Sequence, residues 1–253
     1  MTKTRRNMSG HSKWASIKHK KAATDAKRGK AFTQAANMIT IAAKEGGGDP
    51  TMNFKLRLAI DKAKAVNMPS LNIDRAIKKG TGEGGGGPVE ELIYEGYGQD
   101  GVAILVGTVT DNKNRTSGDV RSTLTKYGGR MADAGSVSWV FDQQGQIVIQ
   151  DTSEGVQLIA IDGGASDVEE EDGKLFIYCD VSSIRKIKES LEEVGVKIES
   201  AEITYRPKNY VKIENENTAS KILKLIDLLE NLDDVTEVYA NFDIPDDILE
   251  KVS

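Results

Sequence analysis

Gly80 to Pro88 reads GTGEGGGGP, and the character of the chain changes across it. Four consecutive glycines cannot offset their backbone entropy inside a regular element, so the stretch is a linker over residues 81–88. It satisfies G-x-G-x-x-G at Gly80, Gly82 and Gly85, but a charged helical pattern precedes it where a dinucleotide fold needs a strand, and the Lys-Ser/Thr of a P-loop is missing. Nucleotide binding is therefore rejected here.

On the N-terminal side, apolar residues recur at three and four. Phe32, Ala35, Ala36, Ile39 and Ala43 form one stripe over about 24–44, and Gly46 to Gly48 stop it. Asp49 before Pro50 is the expected N-cap of a second helix with the stripe Leu56, Ala59, Ile60, Ala63, and Pro69 opens a short third helix that ends at Gly80. On the C-terminal side the period falls to two. The expected strands are 91–97, 102–110, 137–141, 146–150, 175–179, 198–206 and 235–242. Helical patterns lie between them: one opened by a Thr116/Asp119 capping box, one near 155–161, one on Ile184, Ile187, Leu191 and Val194, and one on Ile222, Leu225, Ile226 and Leu229. The acidic run DVEEED at 167–172 reads as a solvated loop. An α+β fold follows: an N-terminal helical domain over 1–80, then two small ferredoxin-like α/β units.

The net charge of −5 conceals opposite halves. Residues 1–80 hold 18 Lys+Arg against five acids, a net of +13, and the remainder carries −18. Such a split argues for a polyanion-binding head on an acidic body. No apolar run approaches a membrane helix, and a single cysteine excludes an internal disulfide, so a reducing cytoplasmic location is expected with no membrane contact.

The densest basic stretch is GHSKWASIKHKKAATDAKRGK at 10–30. Lys13, Lys18, Lys20, Lys21, Lys27, Arg28 and Lys30 suit phosphates, which gives affinity with little sequence information. His11, His19 and Trp14 could stack on exposed bases; alternatively Trp14 anchors the segment to the body and the histidines are ordinary surface residues. A second cluster, TDNKNRTSGDVR at 110–121, places Lys113, Arg115 and Arg121 at a strand-to-helix turn, where an anion could sit. The residues also suit a plain turn, with Asp111 and Asn112 shaping it and Thr116 capping the helix. Catalytic residues, metal ligands and cofactors are not expected. The two histidines are eight residues apart without a nearby carboxylate, and Cys179 lies in an alternating run that suits a core thiol, so nothing points to an enzyme or to a small-molecule substrate.

The stretches GHSKWASIKHKKAATDAKRGKAFT, DRAIKKGTGE, YEGYGQDGVAILV, TDNKNRT and GSVSWVF together resemble the YebC family, from Met8 to the C-terminus; residues 1–7 lie outside the resemblance. The resemblance implies three domains around a central cavity, with the third inserted in the second: 1–80, then 89–142 plus 207–253, with 143–206 as the insert. It implies Lys13, Trp14, Lys18, Lys20, Lys21, Asn112, Lys113 and Arg115 as nucleic-acid contacts. Family members are described as probable DNA-binding transcriptional regulators, and mitochondrial relatives as translational activators of cytochrome c oxidase. Some bacterial relatives resemble ribosome-associated factors that relieve stalling. The expected partner is accordingly DNA or ribosomal RNA, the latter on the ribosome.

Overall fold

The computed structural model describes residues 25–83 and 89–252. Three helices come first, α1 Asp25–Gly46, α2 Phe54–Ala65 and α3 Ser70–Gly80, packed around Ile39, Ala42, Leu56, Ala59, Ala63, Ile73 and Ala76. Gly47, at φ 83, takes the left-handed position that ends α1. The expected cap at Asp49 is corrected. Asp49 accepts from Thr51 N at 2.8 Å and closes a separate turn, while Asn53 caps α2. An asparagine suits this place because it both accepts and donates. Its Oδ1 takes the Leu56 N–H at 3.0 Å, and its Nδ2 donates to Ala42 O at 2.7 Å and Gly47 O at 2.8 Å on the end of α1.

Two four-stranded antiparallel sheets follow. In chain order the elements are β1 Glu90–Tyr97, β2 Ala103–Thr110, α4 Lys113–Lys126, β3 Arg130–Met131, β4 Phe141–Ile149, α5 Glu154–Gly163, β5 Ala165–Glu171 and β6 Lys174–Cys179. Then come α6 Ile184–Glu193, β7 Ile198–Pro207, β8 Val211–Lys212, α7 Glu216–Glu230, β9 Val235–Ala240, β10 Phe242–Asp243 and α8 Asp246–Val252. The first sheet runs β3-β1-β2-β9. One of its faces carries Ile104 and Val106 into a core with Val120 and Leu124 of α4, Ile222 and Leu225 of α7, and Leu249 of α8. The other face carries Leu105, Val109 and Tyr239 toward α1, α2 and the second sheet, so both faces of β2 are buried. The second sheet runs β5-β6-β4-β7, built from a βαββαβ segment of the ferredoxin-like kind, and its core holds Ile147, Ile149, Leu175, Ile177, Ile184, Ile187 and Leu191. Helices followed by antiparallel sheets with covering helices make this an α+β protein.

Three local expectations are corrected. The 167–172 run is not a loop: most of it is edge strand β5, joined to β6 by Asp172 and Gly173 at φ 47 and φ 73. Asp-Gly is a strong two-residue hairpin signal, and Arg206 offsets part of the strand's charge by pairing with Asp167 at 2.9 Å and Glu169 at 2.5 Å. The expected strand 137–141 is a 3₁₀ turn, Ser138–Val140, and strand begins only at Phe141. The buried carboxylate of Glu95 takes the N–H groups of Gly135, Val137 and Ser138 that a ladder would otherwise use. The Thr116/Asp119 capping box is replaced by Asn112, whose Oδ1 accepts from Arg115 N at 3.1 Å, with Thr116 inside the first turn.

Cys179 is buried, and burial with the neighbouring Asp180 charge pushes its thiol up to about 11. No helix among the described residues is long and apolar enough to cross a membrane, and no cluster of three or more metal-ligating side chains occurs among them.

Candidate nucleic-acid interface

The cations of the three-helix part divide by the face they occupy. Three lysines turned toward the sheets are engaged there. Lys55 of α2 meets Glu45 and, in the first sheet, Glu91, each at 3.0 Å. Lys62, also on α2, lies 2.9 Å from Glu202 of β7 and pairs with Glu237 of β9. Burial alone would lower the Lys62 ammonium, but the Glu202 and Glu237 carboxylates outweigh it and hold that group well above the ordinary lysine range. Lys44 of α1 donates to Val89 O at 2.7 Å. Lys55, Lys62, Glu91, Glu202 and Glu237 line a cavity of about 140 Å³ whose walls include Met38, Leu58, Leu105, Ile203, Tyr205 and Tyr239.

Cations on the outer side stay unpaired. Lys64, Arg75, Lys78 and Lys79 are exposed, and none has an ion-pair partner among the described residues. Three of them stand on α3, whose other side buries Ile73 and Ala76. That helix is set close against α1: a Cβ on Gly80 would lie 2.3 Å from Thr40 O and 2.8 Å from the Ala43 Cβ. Lys78 and Lys79 fall in its last turn, where cations suit the helix dipole.

Of the residues expected from sequence, His11, Lys13, Trp14, Lys18, His19, Lys20 and Lys21 lie outside the described residues. Lys27 and Arg28 fall in the opening turn of α1, and Lys30 is half-buried one turn later. The second cluster is compact, but its cations are engaged internally. Lys113 reaches Glu90 Oε2 at 2.7 Å. Arg115 meets Asp234 with Nε and Nη2 at 3.2 and 2.9 Å and Asp111 at 3.0 Å, and these hydrogen bonds raise its already high pKa. Thr116 Oγ1 donates to Asp234 Oδ2 at 2.6 Å. An anion arriving at Arg115 must therefore compete with two carboxylates for its Nε and Nη2 donors. Arg121 is exposed and has no such partner among the described residues.

Sequence reading missed Arg75, Lys78 and Lys79 as an exposed cationic face, although their spacing opposite Ile73 and Ala76 carried the signal. It also missed Trp139. This indole is 63% exposed on a loop tied down by Glu95, with Trp139 Nε1 and Tyr97 Oη both donating to Ser136 O at 2.9 and 3.0 Å.

Comparison with known proteins matches residues 12–83 to the TACO1/YebC N-terminal domain and residues 89–242 to the TACO1/YebC second and third domain. The chain belongs to the TACO1/YebC family. It is similar to a family relative from Halothermothrix orenii, named a probable transcriptional regulatory protein, with 51% identity over 97% of this chain and 99% of the relative. A relative from Geobacter sulfurreducens with the same description is 53% identical over 97% of this chain and 100% of its own length. Among solved structures, the crystal structure of a conserved hypothetical protein from Aquifex aeolicus superimposes with a TM-score of 0.86 at 48% identity, covering 94% of this chain and 99% of the other.

Proposed function

We propose that this chain is a nucleic-acid-binding regulator of gene expression whose N-terminal helical part engages phosphates. The observation that carries the reading is the placement of charge: a net of +13 over residues 1–80 against −18 over the rest, with Lys64, Arg75, Lys78 and Lys79 exposed and without an ion-pair partner among the described residues, while Lys55 and Lys62 are paired with carboxylates of the sheets. Each Lys or Arg set against a phosphate releases condensed counterions, which gives affinity that falls steeply with salt. The names of the relatives, probable transcriptional regulatory proteins, support regulation as the setting. The working division is 1–80 as the binding domain, 81–88 as linker, 89–142 plus 207–253 as the second domain and 143–206 as an inserted third. The reading assigns Lys13, Lys18, Lys20, Lys21, Lys27, Arg28 and Lys30 to phosphates as well, and His11, Trp14 and His19 to stacking on exposed bases.

A second reading, a translation factor on ribosomal RNA, is favoured by the lysine-rich composition of 10–30. Lysine serves phosphates as a point charge, whereas base reading in the major groove relies on Arg, Asn and Gln in bidentate geometry. Crosslinking in cells, with sequencing of the recovered DNA and RNA, separates the two when run beside a variant lacking residues 8–30. Promoter DNA lost in the variant supports transcriptional regulation. Ribosomal RNA without promoter peaks supports the translational reading, and recovery of neither nucleic acid overturns the proposal.

A further inference from the structure

Phe54 opens α2, and its ring packs against the core of the second sheet, so this one side chain joins the helical part to the βαββαβ segment. Two arginines share that ring. The guanidinium carbon of Arg57, one turn further along α2, lies 5.5 Å from the ring centroid, and that of Arg185, on α6, lies 5.0 Å from it. The two like charges therefore stand no farther apart than these separations combined, although they come from positions 128 residues apart in sequence. Neither is paired with a carboxylate among the described residues. The acid nearest in sequence on α2, Asp61, is taken by Lys188 of α6 at 2.7 Å. The Arg57 Nε is buried and finds no protein acceptor.

Each feature has a cost that the fold does not offset. Cation–π contact with Phe54 attracts each arginine separately, yet gathering two positive charges at one ring without a counter-charge is unfavourable, and a buried donor without an acceptor is more so. A phosphate offsets the first of these, the gathered positive charge. Guanidinium groups offer a planar fork of N–H donors that fits two oxygens of a phosphate, and Arg185 is exposed while Arg57 is half-buried beside it.

We propose that Arg57 and Arg185, held by Phe54, form a clamp for a backbone phosphate of nucleic acid at the junction of the helical part and the second sheet. This rests on the function proposed above and deepens it: the bound strand passes from the cationic face of α3 and Lys64 of α2 across the junction to α6. The clamp reads no base, and it is completed only when α2 and α6 are docked.

The test is equilibrium binding of the full chain to a labelled single-stranded RNA and to a DNA duplex of unrelated sequence, each over a salt series. The variants are Arg185→Gln, Arg57→Lys, and the control Lys221→Gln, an exposed cation on α7 far along the chain from the clamp. Arg185→Gln weakens binding to both probes about threefold or more and lowers the salt slope by roughly one contact. Arg57→Lys, which keeps charge and loses the fork, weakens it less, and Lys221→Gln leaves it unchanged. Wild-type affinity in Arg185→Gln, with wild-type protein binding well, overturns the clamp alone. Failure of the wild-type protein to bind either probe overturns the clamp together with the function it rests on. Inorganic phosphate is the last arm: stabilisation of wild type and not of Arg185→Gln, with nucleic-acid affinity unchanged between them, assigns the site to a free anion and overturns the nucleic-acid assignment.

Discussion

Lys62 of α2 lies 2.9 Å from Glu202 in the second sheet and pairs at the same time with Glu237 in the first, so one ammonium joins all three parts of the molecule. Replacing it by Met leaves two carboxylates facing each other without a counter-charge. About a third of the Lys62 side chain is exposed, which screens the loss, so Lys62→Met is expected to cost about 1–2 kcal/mol rather than the larger penalty of a fully buried pair. Hydrogen exchange should rise in α1 to α3 before it rises in either sheet. Unchanged exchange there would show that apolar contacts alone dock the helices.

Glu95 gives a pH-dependent prediction. Burial would raise its carboxyl, but the N–H groups of Gly135, Val137 and Ser138, with the Ser138 side chain, overcome this and hold it below the usual carboxylate range. A depressed folded value contributes stability that is complete above the unfolded value, about 4.3, and is lost as pH falls through the lower folded value. Glu95→Gln is expected to cost about 1–3 kcal/mol at pH 7, because an amide cannot replace a carboxylate that receives three N–H donors. Urea melts of the two proteins should converge as the pH is lowered below 4. A gap that stays constant through that range would contradict the assignment.

Asp234 holds Arg115 and Thr116 at the start of α4. Asp234→Asn removes a negative charge and loosens Arg115, so affinity for nucleic acid should rise about twofold while stability falls by about 1–2 kcal/mol. Titration of a labelled duplex and a thermal melt check the two parts together. Unchanged affinity would mean that the 110–116 turn binds nothing in its relaxed form.

Gly80 lets α3 approach α1. A methyl group there would press on the Thr40 carbonyl at 2.3 Å, which is backbone and cannot swing away. Gly80→Ala should therefore cost about 2 kcal/mol or more and shift the cationic face of α3. A melt within error of wild type would show that the helices separate easily.

The helices and most strands were legible because their apolar spacing is local. Ile39 and Ala43 on α1, Leu56 and Ala59 on α2, and Ile184, Ile187 and Leu191 on α6 each announce a buried face within one segment. The acidic strand β5 was not, because its charges are tolerated only at a sheet edge and only with Arg206 alongside, 39 residues from Asp167. Its Asp172-Gly173 turn was the local clue that outranked composition. The cap at Asn53 depended on a tertiary partner, the end of α1, whereas Asn112 caps α4 within its own turn by accepting from Arg115 N. The basic character of the first 80 residues was plain from counting. Which cations face outward was not, since Lys62 finds its carboxylates 140 and 175 residues away.

The central claim is that outward cations of the helical part bind phosphates. The most direct measurement is the salt dependence of binding to single-stranded RNA by wild type and by a variant with Lys64, Arg75, Lys78 and Lys79 all replaced by Gln. The account predicts weaker binding by the variant and a slope of log affinity against log salt that is shallower by up to about 3, at roughly 0.7 for each lost contact. An unchanged slope with unchanged affinity would contradict it.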